Sequence, residues 1–504
     1  LVTGVGTNTD GSLQGLVLTN ASTLTSPVAL AVTGDVNIDS TSTLSHALGG
    51  SITGNVTNAG MINWQNLGQQ LIISGNYIGN AGNMSLGTDL GDDNSVTDQL
   101  VINGNTSGTT TVTVRPEGTS AGAQTVEGIK IIDIENGTSG ATFTLASAVQ
   151  AGAYEYTLFK NGVSTPTDGD WYLRSTLIPT PTKPTTPIYR PGTSNYVSAQ
   201  TANAEQGFAA LGTLHERMNE QQVVSTDKQT WVRYYGNTES NNGDSRFNYN
   251  QHVRAAQVGQ DLYNKTTTNG TDVHSGVMFD YSYSTVDFAD RVREDALLDN
   301  TTGTMNGTSY GLGGYYTAIN GDDSYLDVVG MVSKLENKYK DSYGMKSTQD
   351  GYRLGLSVEA GKKLAELGKW KVEGQGQLAY QYTNYDNFND DISGIDAYGA
   401  STLRGRLGVR VYRHLESTKE MKQIDNAQVY GVANVIQDFI NPTDVTIGVA
   451  NISEKFDKTT LEVGGGFQVP VTGTTYVYTD ARYDRSINGD KEQGKLTIGF
   501  KTQF

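Results

Sequence analysis

From about Lys228 to the end of the chain, apolar and polar residues alternate with a period of two, segment after segment. In KWKVEGQGQLAYQYT, Trp370, Val372, Leu378, Tyr380 and Tyr382 share one face, while Lys371, Glu373, Gln375, Gln377 and Gln381 share the other. YRLGLSVEAGKKL sets Tyr352, Leu354, Leu356 and Val358 against Arg353, Glu359 and Lys363, and LRGRLGVRVY sets Leu403, Leu407, Val409 and Val411 against Arg404, Arg406 and Arg410. The final segment repeats the device, with Leu496, Ile498, Phe500 and Phe504 opposite Lys495, Thr497, Gly499, Lys501 and Gln503. Period two means strands, and long strands with one wholly apolar face suit a sheet with lipid on that side. Twelve such strands are predicted, at 229–237, 250–264, 273–287, 307–319, 324–338, 350–365, 369–385, 401–415, 427–439, 459–470, 474–485 and 494–504. An even number closes an antiparallel transmembrane barrel, and one of this size has room for about one helix. The apolar stretch 445–452 reads as part of an external hairpin. Arg353, Glu359, Lys371, Glu373, Arg404, Arg406 and Arg410 are predicted to face the lumen. Tyrosines near strand ends (234, 235, 281, 283, 315, 316, 380 and 382) are expected to form interfacial girdles.

A different pattern precedes the barrel. Residues 179–191 hold five of the chain's ten prolines, which predicts an extended spacer. Ser198 can cap a helix running to about Gln222, with Ala204, Phe208, Leu211, His215 and Met218 on one stripe. About 24 residues at 1.5 Å each span about 36 Å, close to the thickness of a bilayer. Ala199, Ala202, Gly207, Ala209, Ala210 and Gly212 keep this helix thin, so it fits a water-lined pore better than lipid.

The first third is rich in Gly, Asn, Thr and Ser, and up to residue 190 it has 6 Lys+Arg against 14 Asp+Glu. A glycine before a short apolar strand recurs at Gly15, Gly34, Gly54 and Gly75, in steps of 19, 20 and 21 residues. Such a period is the mark of a parallel β-solenoid whose rungs stack. After about residue 100 the strands lengthen (VTVRP, IKIIDI, ATFTLA, YEYTLF) and end at Trp171 and Tyr172, which reads as a cap that stops further stacking.

Composition narrows the chemistry. The chain has no cysteine, hence no disulfide framework and no thiolate metal site. A net charge of -17 argues against nucleic acid as a partner. Mean hydropathy is -0.41, and no apolar run approaches the length of a membrane helix. G-x-S-x-G occurs at 118–122 and 307–311, but neither context offers the strand-to-helix turn of a nucleophile elbow. The five histidines lack metal-ligand spacing, so neither a metal nor another cofactor is expected. Asp92 with Asp93 and Asp322 with Asp323 read as turn residues.

The order of parts, WVRYYG from Trp231, AAQVGQDLY at 255–263, HSGVMFDYSYS at 274–284, YGLGGYYT at 310–317 and the aromatic C-terminus together resemble the C-terminal part of a monomeric autotransporter (type V secretion) of the self-associating adhesin kind. The resemblance implies an all-β fold: a right-handed parallel β-helix plus a 12-stranded antiparallel transmembrane β-barrel with an α-helix through its pore. The expected divisions are 1–100 for passenger rungs, 101–176 for a cap resembling an autochaperone, 177–194 for the linker, 195–224 for the pore helix and 225–504 for the barrel. It further implies a Gram-negative outer-membrane protein, not an enzyme, that exports and anchors a surface adhesin. Its partners would be outer-membrane lipid, periplasmic chaperones, surface ligands of the passenger, and the barrel-assembly machinery reading Leu496, Ile498, Phe500 and Phe504. Some relatives cut their own linker at an Asn-Asn bond in the pore helix. Here Asn241 and Asn242 are expected in a loop beyond the first barrel strand, so that route is not predicted, though Glu359 and Glu373 would face the helix. A plain channel with an external domain, and an outer-membrane protease, are the alternatives.

Overall fold

The computed structural model describes residues 2–3, 9, 11–179, 185–218, 228–396, 399–415, 427–442, 444–472 and 474–504. The chain divides into two units, Leu1–Arg190 with Val292–Leu298 and Ile447–Ala450, and Pro191–Arg291 with Asp299–Thr446 and Asn451–Phe504.

The first unit is a stack of parallel rungs. Leu16–Leu18, Val36–Ile38, Val56–Asn58, the start of Tyr77–Thr88 and the start of Thr106–Pro116 pair in register along one face. Leu30–Val32, Gly50–Ile52, Gln70–Ile73, Gln99–Ile102 and Ile129–Ile134 do so along another. Inward residues are apolar and stack on their counterparts, as Leu44 on Ile62 on Met84, all fully buried. Each such side chain contributes roughly 1.5–3 kcal/mol of transfer free energy. The repeating glycines form a column: a Cβ on Gly54 would meet the backbone of Gly34, one on Gly75 that of Gly54, one on Gly104 that of Gly75, and one on Gly137 that of Gly104. The residue after each glycine joins a hydrogen-bonded ladder. Asp35 Oδ1 accepts from Asn55 N (2.7 Å), Asn55 Oδ1 from Asn76 N (2.9 Å), Asn76 Oδ1 from Asn105 N (2.8 Å), and Asn105 Oδ1 from Thr138 N (2.8 Å). The repeat therefore runs beyond residue 100, where insertions hide its period, and parallel pairing persists to Thr142–Leu145. After those rungs the pairing turns antiparallel, with Val149–Ala151, Tyr154–Lys160 and Trp171–Arg174.

The proline-rich stretch ends at Pro191, already the first residue of a helix, and its last extended residues do not stand free as a spacer. Its residues 180–184 lie outside the described residues, but Pro187 bridges Thr176 and Tyr189 bridges Tyr154, so this segment runs back along the cap.

In the second unit, twelve antiparallel strands close on themselves: Gln229–Asn242, Phe247–Thr266, Asp272–Asp290, Thr301–Ile319, Tyr325–Asp341, Lys346–Leu367, Trp370–Tyr385, Ala400–Leu415, Ala427–Ile440, Thr459–Pro470, Thr475–Ser486 and Lys491–Gln503. The first pairs with the twelfth from Gln229↔Gln503 to Asn241↔Lys491. The observed strands match the twelve predicted segments, several of them running further. Asp444–Ile447 and Ala450–Ser453 belong to a separate four-stranded sheet, as expected of an external hairpin. Leu354, Leu407, Val435, Leu461, Leu496 and Ile498 point outward and are exposed, while the alternate residues face a packed, polar lumen. Asn241 and Asn242 are not in a loop: both lie in the first strand, and Asn241 is buried, donating to Glu239 and Tyr249.

α1 (Pro191–Leu211) runs inside this barrel, and a short α2 (Leu214–Met218) continues it. The helix starts seven residues before the predicted Ser198 cap. Pro191 takes the first position, where its missing N–H costs nothing, and Ser198 is buried in mid-helix. Gly212 ends α1 with φ +57°, its N–H donating to Phe208 O at 2.9 Å. Thr213 and Glu216 then form a reciprocal capping box at 2.8 and 3.1 Å. The predicted end at Gln222 lies outside the described residues.

Candidate functional site

The lumen is built from the inward positions of all twelve strands and from α1, whose 21 residues span about 32 Å. α1 has no strong apolar stripe, yet most of it is buried, including Thr193, Ser194, Asn195, Ser198, Gln200 and Asn203. A polar helix survives burial only where the surroundings supply partners. They change along its length.

At the Pro191 end, Ser194 and Asn195 bond Thr302, at 2.5 Å for the Ser194 hydroxyl pair. Tyr196 donates to Asp390 at 2.9 Å and meets Tyr339 and Phe388 edge-on, with ring centroids 5.1 and 5.2 Å away. In the middle, Glu205 lies 2.5 Å from Arg404 and 2.6 Å from Lys491, and Arg404 also bonds Asp438 at 2.6 Å. The Arg404 guanidinium covers the Phe208 ring at 4.1 Å. Lower, Glu216 lies 3.4 Å from Arg482, which also pairs with Glu462 and Asp480, and Lys495 bridges Glu462 and Asp484. Buried charges are tolerated here because each faces an opposite charge; removing one partner strands the other, at a cost of about 3–5 kcal/mol.

At the Met218 end the partners become apolar. Leu211, Leu214 and Met218 cluster with Trp231, Tyr235, Met278, Tyr315, Tyr325, Val329 and Met331. Arg217 passes through this cluster to Asp327 and lies over the Tyr315 ring at 5.8 Å. Three rings lie over cross-strand glycines, Trp231 on Gly259, Tyr325 on Gly361 and Tyr478 on Gly499, where any Cβ would overlap the ring. Tyr235 and Tyr315 are also buried in this inner packing and do not belong to an interfacial girdle: both occupy inward positions, Tyr315 over its cross-strand Gly276 and Tyr235 donating to Asp280 at 2.7 Å.

The structure places the sequence-derived residues as follows. Ala204, Leu211, His215 and Met218 are buried against the wall, and Phe208 is half-buried under Arg404. Arg353, Glu359, Glu373, Arg406 and Arg410 are buried in the lumen: Glu359 accepts from Leu214 N at 3.0 Å, and Glu373 meets His215 at 3.1 Å. Lys371 sits near the turn after the fourth strand, bonding Asp323 at 3.1 Å. Leu496, Ile498, Phe500 and Phe504 lie exposed on the outer face of the twelfth strand and its end. Sequence reasoning missed Glu205, Glu216 and Lys491, although two acids on a helix too polar to cross lipid were a usable signal. Ser120 lies in a coil and Ser309 on a barrel strand, so neither G-x-S-x-G makes a nucleophile elbow. Among the described residues, no cluster of His, Asp and Glu could hold a metal ion.

Two family models match successive parts of the chain. The autotransporter beta-domain family matches residues 230–482, half of the chain, and the autochaperone domain type 1 family matches residues 51–158. The adhesin BmaC autotransporter of Brucella suis biovar 1 (strain 1330) is 32% identical over 525 residues, covering 94% of this chain and 15% of that protein. The autotransporter adhesin AIDA-I of Escherichia coli is 31% identical over 392 residues, covering 74% of this chain and 29% of that one. The chain thus spans less than a third of either relative. The solved translocator domain of autotransporter NalP from Neisseria meningitidis is similar with a TM-score of 0.48 at 15% identity, covering 61% of this chain and 99% of that one. The chain belongs to the autotransporter family, its second unit being the outer-membrane translocator barrel and its first a stack of parallel rungs that carries the autochaperone match.

Proposed function

We propose that the barrel exports the chain's own passenger through the lumen that α1 fills, then anchors it on the cell as an adhesin. The observation that carries this reading is a closed barrel whose lumen holds the helix linking it to a stack of β-helical rungs. The names of the relatives BmaC and AIDA-I support adhesion as the passenger's task. No fuel is needed. A chain held extended in a narrow pore cannot bury apolar surface, whereas each rung formed outside stacks on the last and opposes sliding back. Of the stretch read as a cap, 101–176, the antiparallel part from Val149 to Arg174 would close that stack. Leu496, Ile498, Phe500 and Phe504 would be the strand read by the barrel-assembly machinery, with periplasmic chaperones holding the chain beforehand. The reading is non-enzymatic. An open channel is disfavoured because α1 fills the bore.

External protease on intact cells tests it. The expected result is a membrane-held fragment starting near Pro191, with loss of adhesion and autoaggregation as the passenger is shaved. A passenger untouched in intact cells, or cells that adhere equally without the chain, would contradict the proposal.

A further inference from the structure

The lumen grips α1 in two ways. At the Pro191 end, and at Glu205, side chain meets side chain. Between Ala202 and Gly212 the wall also meets main chain. Gln251 Nε2 donates to Ala202 O at 3.0 Å, Arg353 Nη1 to Asn203 O at 2.7 Å and Gln381 Nε2 to Ala204 O at 3.1 Å. Further along, Gln257 Nε2 donates to Ala210 O at 3.0 Å, Arg233 Nη2 to the carbonyls of Ala209 and Ala210 at 3.1 and 2.8 Å, and Gln377 Nε2 to Gly212 O at 2.8 Å. These carbonyls are reachable because the helix is lean. At Gly207 even a Cβ would collide with Gln381 and Arg353.

A helix leaves the arrangement incomplete. Its carbonyls can accept a second hydrogen bond, but its N–H groups are spent on the carbonyls four residues back. Accordingly Gln251 Oε1 and Gln381 Oε1 are buried with no partner among the described residues. Both side chains are at most 1% exposed. A carboxamide needs a donor as well as an acceptor opposite it, and an extended chain offers both, outward on each edge.

We infer that these six side chains form a track for extended polypeptide main chain, whatever its side chains. The ligand class is an unfolded segment, here the passenger in transit; this rests on the export reading above. Main-chain groups recur at every residue, so a sliding chain finds equivalent partners at each step. The contacted carbonyls span about 15 Å of helix, the length of four to five extended residues. α1 occupies the track last and leaves the Gln251 and Gln381 acceptors unfilled.

The test is pulse-labelled export in intact cells, timed by the passenger's appearance to external protease. With Gln251→Met and Gln381→Met together, a barrel shown folded by its heat-modifiable gel mobility should export about fivefold more slowly, the effect of losing roughly one net hydrogen bond. An unchanged rate overturns the track. Because the chain has no cysteine, a second measurement is clean and holds even if the double variant misfolds. Gln381→Cys is paired with Thr57→Cys, or with Ser107→Cys, in the full chain, and cells are chilled in mid-export and oxidised. Disulfides from position 381 to both passenger positions support the track. Disulfides to neither, while an Ala204→Cys partner in the helix still cross-links, overturn it. Failure of the unmodified passenger to reach the surface at all would instead sink the export reading.

Discussion

The two units use one alternation and wrap it in opposite senses. In the β-helix, Ile52 is buried in the core and its neighbour Ser51 is exposed; in the barrel, the charged Arg406 is buried and its neighbour Leu407 is exposed. Both obey the period of two. What differs is the medium on each side: water outside a solenoid that must make its own dry interior, lipid outside a cylinder that can fill its interior with paired charges. The lesson is that the pattern fixes strands and faces, while length and charge on the polar face decide which face turns inward. Most strands of the first unit have two to seven residues, too few to cross a bilayer, and the long Tyr77–Thr88 is broken in register at Asn80/Gly82, whereas the barrel strands of 12 to 22 residues are long enough.

Substitutions at these neighbours break the comparison most sharply. Ile52→Asp puts an unpaired charge in the solenoid and should cost more than about 4 kcal/mol, seen as early protease sensitivity of the passenger, whereas Ser51→Arg should stay within about 0.5 kcal/mol. Acid probes the same dry interior. His46 is fully buried, packs edge-on against Trp64 with ring centroids 4.9 Å apart, and neither ring nitrogen has a partner among the described residues. Burial holds its pKa down, to about 4 from 6.5. The unfolded chain therefore binds the extra proton first. His46 leaves stability intact above pH 6.5, and about 3 kcal/mol drains away as pH falls from 6.5 to 4. Denaturant midpoints of the passenger against pH should show that slope, and His46→Leu should abolish it.

In the barrel, Leu407→Arg should cost about 2 kcal/mol through its lipid face, measured by unfolding from bilayers. The smallest effect is in the ladder. Asn55→Ala removes the acceptor for Asn76 N and should lower passenger stability by about 1 kcal/mol, with no change in barrel unfolding.

The barrel was legible because lipid imposes a wholly apolar face, which the repeated Leu, Val and Tyr positions record. The start of α1 was not. A capping rule led to Ser198, but the true start precedes Thr193, Ser194 and Asn195, polar residues that look like linker and are buried by lumen partners far away in sequence. The later rungs were hidden for another reason: the glycine steps stretch to 29 and 33 residues between Gly75, Gly104 and Gly137, although the column is unbroken in space. Tyr315 and Tyr235 resembled girdle residues because their alternation agrees with either face until the facing strand is known. The glutamines that touch helix carbonyls carry no signal at all, since any polar residue satisfies the inward pattern.

The central claim is that alternate side chains of the twelve strands touch lipid while the rest face an occupied lumen. Single cysteines at 433, 434, 435 and 436, labelled with a small fluorophore in bilayers of brominated lipid, test it directly. Strong quenching at 433 and 435 with little at 434 and 436 is the predicted result, even though Ile436 is the larger hydrophobe. Equal quenching at all four would contradict it.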